Sequence, residues 1–254
     1  MKLSRFIALD IKQAILNFST LFGIIVMPAG MYLLFGAAQS YGTQPFHDGN
    51  VSAYVMLGMA VYGAVTGALS ASGTAVLEIE SGWGRQLALT PIRWKHILLS
   101  KCVIALITTM LPVIIVNIFG SMTGAEIPIE QQIICAAVTV VCCTIFSFYG
   151  MALAQVFKNA RAVSIGSGLL VFFSFFGTTF SPLPESMMSI ARFTPLYGVT
   201  ELSRFAFTHG DTLITGQNPW FVNEPLAYAL INTLVWGGIF VAICLKTRKR
   251  ANAR

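Results

Sequence analysis

Charged side chains are what this sequence has least of: Asp, Glu, Lys and Arg make up 10% of its 254 residues, against 56% hydrophobic ones. A water-soluble domain carries about 25% charge. A chain of this length could bury a good core, but it has too few charges to wrap that core in a polar shell, so lipid is the solvent it fits. No polar stretch is large enough for a second domain, and residues 1–254 read as one membrane unit. Chemical motifs are equally scarce. There is no GxxxxGK[ST] phosphate loop, no GxSxG and no HExxH, so the chain carries no recognisable catalytic engine and is not expected to be an enzyme. Cys102, Cys135, Cys142, Cys143 and Cys244 all lie in apolar runs without CxxC spacing, which speaks against a metal site and for unpaired buried thiols. His47, His96 and His209 have no partner at metal-ligand spacing. The net charge of +6 comes from residues between apolar runs and at the chain ends rather than from one basic face, which excludes a nucleic-acid module. The opening residues have charges out to Lys12 and no cleavage site after an apolar stretch, unlike a signal peptide.

What is present is a series of apolar runs. A spanning helix needs about 20 mostly apolar residues. Six candidates follow one another: Leu21 to Ala38, Val51 to Leu77, Ile97 to Phe119, Ile133 to Phe157, Ala162 to Phe180 and Leu226 to Leu245. The predicted fold class is therefore an all-α integral membrane protein of six transmembrane helices. Lys and Arg set the orientation. Fourteen of them, Lys2 to Lys12, Arg85 to Lys101, Lys158, Arg161 and Lys246 to Arg254, fall on one side, and only Arg192 and Arg204 on the other. Both termini are then expected in the cytoplasm, in the cell membrane. Glu and Asp residues at spans' centres are missing, which speaks against the first rival reading, a secondary ion-coupled transporter, since such a carrier usually needs an intramembrane ionisable group. A lipid-modifying enzyme, the second rival, would need a convergent Asp/Glu, His or Cys cluster, and none is visible.

Three segments are not simple spans. Residues 1–18 can place Leu3, Phe6, Leu9, Ile15 and Leu16 on one side and keep Lys2, Arg5 and Lys12 wet, as an interfacial helix or a plain extension of the first span. Residues 78–96 form the longest cytoplasmic loop. Gly82 and Gly84 permit a bend, Arg85 to Thr90 can make a short helix, and Pro91 ends it or begins the next. This loop reads equally as an interface-anchored turn or as a docking surface. Residues 181–224 are too polar for a span and too apolar for a free loop, and fit two short extracytoplasmic helices split by Pro195, re-entrant or interfacial. Within the second span, Gly63 and Gly67 make a GxxxG that suits close packing, inside the subunit or with a second copy. Pro28 and Pro112 are expected to kink the first and third spans.

Taken together, these features resemble the membrane subunit of ABC-2 type ABC transporters over nearly the whole chain. The loop after span two is the most specific match: an acid, Glu80, then Gly82, the Leu87 and Leu89 short helix, Thr90-Pro91, and Lys101 where the next span begins. The run ARFTPLYGVTELSRFAF before the last span is a second match. Trp83-Gly84 departs from the commoner pair of this pattern, and the acid is not followed by Arg. The resemblance implies a coupling helix built from Glu80, Gly82, Trp83, Arg85, Gln86, Leu87, Thr90 and Pro91 that docks on a separate ATP-binding subunit. It implies no cofactor on this chain, ATP and Mg being held by the partner. It also implies pairing with a second permease, homologous or identical. The expected activity is export of a drug, antibiotic, lipid or polysaccharide-like substrate along a path lined by spans one, two and five.

Overall fold

The computed structural model describes residue 12 and residues 22–79, 94–216 and 219–252. Most of the predicted interfacial helix and all of the predicted coupling residues from Glu80 to Pro91 lie outside the described residues.

The described chain is mostly helical. Four helices are long and apolar enough to cross a membrane: Val51–Glu78, Leu99–Met122, Ile129–Phe157 and Leu226–Thr247; two shorter apolar helices span Phe22–Ala37 and Ala160–Phe176. In chain order, α1 is Phe22–Ala37. A hairpin of β1 (Pro45–Phe46) and β2 (Gly49–Asn50) leads into α2 (Val51–Glu78). Then come α3 (Trp94–Met122), α4 (Ile129–Cys143), α5 (Phe146–Phe157) and α6 (Ala160–Phe176). The segment before the last helix holds β3 (Leu183–Pro184), α7 (Glu185–Ala191), α8 (Pro195–Thr208), β4 (Asp211–Thr215) and β5 (Phe221–Asn223), and α9 (Leu226–Asn252) follows.

Local chemistry sets several boundaries. Asn50 caps α2 by accepting from the Ala53 N–H at 2.9 Å. The same side chain donates to the Gly124 carbonyl at 2.8 Å and accepts from the Glu126 N–H at 3.2 Å, so one asparagine fastens the α3–α4 turn to the head of α2. Pro195 opens α8, where its missing N–H costs nothing. His209 closes α8 in the left-handed region at φ 51°. Pro112 does not end its helix: α3 continues past it to Met122. Pro28 sits at the start of the regular part of α1, after a wider turn at Phe22–Val26.

The short strands were not legible as strands. β1 pairs antiparallel with β2, while β3–β4–β5 form a small mixed sheet, β3 parallel to β4 and β4 antiparallel to β5. Phe46, from the hairpin, is buried against Tyr54, Phe207 and Trp220 at ring distances of 5.7 to 5.9 Å, which joins hairpin and sheet into one cap over the end of α2.

The core is organised around α2. It packs against α1, α3, α4, α5, α6 and α8. Every residue from Val51 to Leu69 is buried. A helix apolar all round belongs inside a bundle. The expectation that span two lines a path between subunits therefore meets a helix enclosed by its own chain along most of its length. The surfaces of α1, α6 and α9 instead carry exposed Leu34, Ile165, Phe172 and Leu234.

Candidate functional site

The loop predicted to dock on a partner is bracketed by two described residues. Lys101 Nζ meets Glu78 Oε2 at 2.7 Å, with the lysine mostly buried. This ion pair joins the last residue of α2 to α3 and so holds together the two stems from which residues 80–93 emerge.

Gly63 and Gly67 lie on the interior of the same helix pair. A Cβ on Gly67 would overlap the Thr108 carbonyl of α3, and one on Gly63 would crowd Pro112 and Pro28. Thr108 Oγ1 also donates to the Gly67 carbonyl at 3.3 Å. The GxxxG face is thus spent on α3 and α1 of this chain.

At the opposite end of α2 lies a buried polar cluster that sequence reasoning missed. Arg204, on α8, is completely buried. Its Nε donates to the Tyr54 carbonyl at 3.1 Å, and its Nη1 and Nη2 donate to the carbonyls of Thr178 and Thr179 at 2.8 and 3.0 Å. Its guanidinium carbon lies 3.8 Å above the centre of the Tyr54 ring, a cation–π contact. The approach is possible because residue 58 is glycine: a Cβ there would overlap both the guanidinium and the Thr179 carbonyl. Glu201, one turn earlier on α8, is buried too and accepts from Thr178 Oγ1 at 2.8 Å and Thr212 Oγ1 at 2.7 Å. Burial pushes its carboxyl above the ordinary carboxylate range, and Arg204 pulls the other way. Arginine, threonines and glutamate together pin α8 and the sheet to the backbone of α2 and to the turn after α6. The available signal was the Glu201/Arg204 spacing of three in an otherwise apolar helix. Reading Arg204 only as an outside charge concealed it.

A second ionic group ties α7 to the approach to α9. Arg192 Nε and Nη2 donate to the two oxygens of Glu224 at 3.1 and 2.6 Å, and Tyr197 Oη donates to the same carboxylate at 2.9 Å. His47 Nε2 lies 3.1 Å from Asp211 Oδ2, which links the hairpin to β4. Among the described residues no group of three His, Cys, Asp or Glu could hold a metal. All five cysteines are free, Cys135 and Cys143 buried and Cys102 exposed. These clusters have hydrogen-bonding partners within the chain and read as fasteners between its helices and short strands.

Residues 38–242 match the family described as ABC-2 family transporter protein. No curated protein matches the chain.

Proposed function

This chain belongs to the ABC-2 transporter family, and from that premise we propose that it is the permease of an ATP-driven exporter. As a membrane component of that family it carries no ATPase domain and no cofactor of its own. In the proposed assembly two permeases, identical or homologous, sit on two ATP-binding subunits. Each permease crosses the cell membrane six times, with α1 and α6 completing the set of spans and both termini in the cytoplasm. The substrate is a drug, antibiotic, lipid or polysaccharide-like molecule that leaves the cytoplasm. The second permease meets α1 and α6, whose exposed Val26, Leu34, Ile165 and Phe172 make apolar faces, while α2 stays interior. Phe35 joins those faces by its ring contacts with Phe175 and Phe180 at 6.1 and 6.2 Å.

The observation that carries the coupling step is the Glu78–Lys101 pair beneath the loop. A partner that docks on residues Glu80 to Pro91 pushes on two stems locked to each other. One of those stems is α2, which touches most other helices of the chain. A displacement at the loop then enters the centre of the bundle rather than one peripheral helix. Interiors packed to the density of organic crystals pass such a displacement on rather than absorb it.

The test compares Arg85→Glu and Leu87→Pro with the parent at matched membrane expression. Proline inside a short helix costs about 3 kcal/mol or more, while the apolar lengths of the spans are untouched. Both variants are expected to reach the membrane, copurify less ATP-binding subunit and export less, Leu87→Pro more severely. Normal copurification and transport in both would make the loop a mere interfacial turn.

A further inference from the structure

The last helix does not close against its neighbours along its length. Two clefts run down one side of α9 and share Trp236 and Ile239. One, of about 470 Å³, is bordered by Ser189, Arg192 and Phe193 from the α7 region and by Tyr228 and Asn232 of α9. The other, of about 330 Å³, continues between α5, α6 and α9 and is walled by apolar side chains such as Leu153, Phe173 and Phe240. Each is within the range of about 300–1,000 Å³ common for small-ligand sites.

The polar groups at the mouth are almost all spent. Asn232 donates to the carbonyls of Arg192 and Thr194 at 2.7 and 3.0 Å and accepts from the Gly198 N–H at 3.1 Å. Trp236 donates its indole N–H to the Phe193 carbonyl at 3.1 Å. Arg192 differs. Its side chain is 40% exposed while its partner Glu224 is 3% exposed. Glu224 engages Nε and Nη2, the Tyr228 ring lies 5.4 Å from the guanidinium carbon, and Nη1 has no hydrogen-bond partner among the described residues. The mouth therefore offers the exposed Nη1 face of a guanidinium fixed by its buried carboxylate partner, and the remainder offers hydrocarbon.

The geometry points to a binding site for one phospholipid of the surrounding bilayer, its phosphate on Arg192 and one acyl chain laid along α9. Length supports this: from Tyr228 to Phe240 is about 18 Å of helix at 1.5 Å per residue, close to the roughly 15 Å of one leaflet's hydrocarbon. Volume supports it too: a helix about 10–12 Å across and about 18 Å long fills on the order of 2,000 Å³, more than the two clefts together hold, whereas an acyl chain fits inside them. Charge selects the headgroup: a phosphate oxygen accepts from the free guanidinium edge, and an uncharged sugar does so far less strongly. The proposal needs only that α9 spans a bilayer and is independent of transport direction.

The test uses the full chain with Trp83, Trp94 and Trp220 changed to Phe, so that Trp236 alone fluoresces, in bilayers of defined composition. A brominated phospholipid and a brominated uncharged glycolipid of the same chains are each titrated separately, against the same unbrominated host lipid, for quenching of Trp236. The phospholipid is expected to be preferred severalfold. The double variant Arg192→Gln/Glu224→Gln, which removes both charges together, is expected to bring the two lipids to parity. Val235→Phe, which fills the cleft and leaves the ion pair alone, is expected to weaken quenching by both. Equal quenching by the two lipids in the parent protein overturns the headgroup contact whatever the variants do. Quenching unchanged by Val235→Phe overturns the acyl-chain site.

Discussion

Replacing Arg204 with leucine is expected to destabilise the protein strongly without preventing membrane insertion. Two effects oppose each other. Removing a buried guanidinium relieves its desolvation, and buried charges exchanged for well-packed apolar groups are sometimes neutral. Against that, the substitution strands the carbonyls of Thr178 and Thr179, which Arg204 reaches at 2.8 and 3.0 Å, takes a second donor from the helical Tyr54 carbonyl at 3.1 Å, and leaves Glu201 without its nearby positive charge. Each orphaned buried acceptor costs about 1–3 kcal/mol. Leucine offers none of them a donor, so stranding outweighs relief, and a net loss of about 3–5 kcal/mol is expected, in line with other broken buried charge sites. For a chain of this size about 2–4 °C is lost per kcal/mol, so Tm should fall by roughly 6–20 °C. The assay is intrinsic fluorescence against temperature in one detergent at one scan rate, with monodispersity checked by size exclusion. Gly58→Ala should lower Tm as well, by pushing the guanidinium off its carbonyls. The double variant should lose less than the sum, because both changes act on the same contact. A leucine variant within about 2 °C of the parent, a shift worth no more than roughly 1 kcal/mol, would refute the claim that Arg204 fastens α8 to α2.

Three further outcomes follow from the geometry. Gly67→Val should abolish a monodisperse product on size exclusion, since the new side chain overlaps the Thr108 carbonyl rather than a yielding side chain; Gly168→Val, at a position with open space around it, should not. Because burial raises the Glu201 carboxyl above its unfolded value, the native state keeps a proton that the unfolded chain has lost, so this group's contribution falls as pH rises from the unfolded carboxylate pKa near 4.3. Tm of the parent relative to Glu201→Gln should therefore decline from acid to neutral pH, and a parallel pair of curves contradicts the assignment. Single cysteines in a cysteine-free background should react with an impermeant reagent added outside at Asp48 and not at Arg85 or Arg250; outside labelling at Arg85 overturns the proposed topology.

The membrane character of this protein is written in the chain locally. Apolar runs such as Leu226–Leu245 are contiguous in sequence, and a helix satisfies its own backbone polar groups in lipid, so length and composition suffice to find it. Pro195 likewise marks the start of α8 without help from any neighbour, because its ring fixes φ and removes a donor. What covers each helix is a different kind of fact. The sequence of α2 is apolar on all sides, but only the packing shows that its own chain encloses it from Val51 to Leu69 and that Gly67 is spent on Thr108. The strands of the cap over α2, two to five residues each, are too short for any alternation to register, and they hold together because Phe46 and Asp211 find partners far away in sequence. Arg204 shows the divide most sharply. As a letter it is a cation that counts toward orientation. As a buried side chain it is decided by three carbonyls, one of them 150 residues distant, because a charge can leave water only where the fold has already assembled the acceptors to receive it.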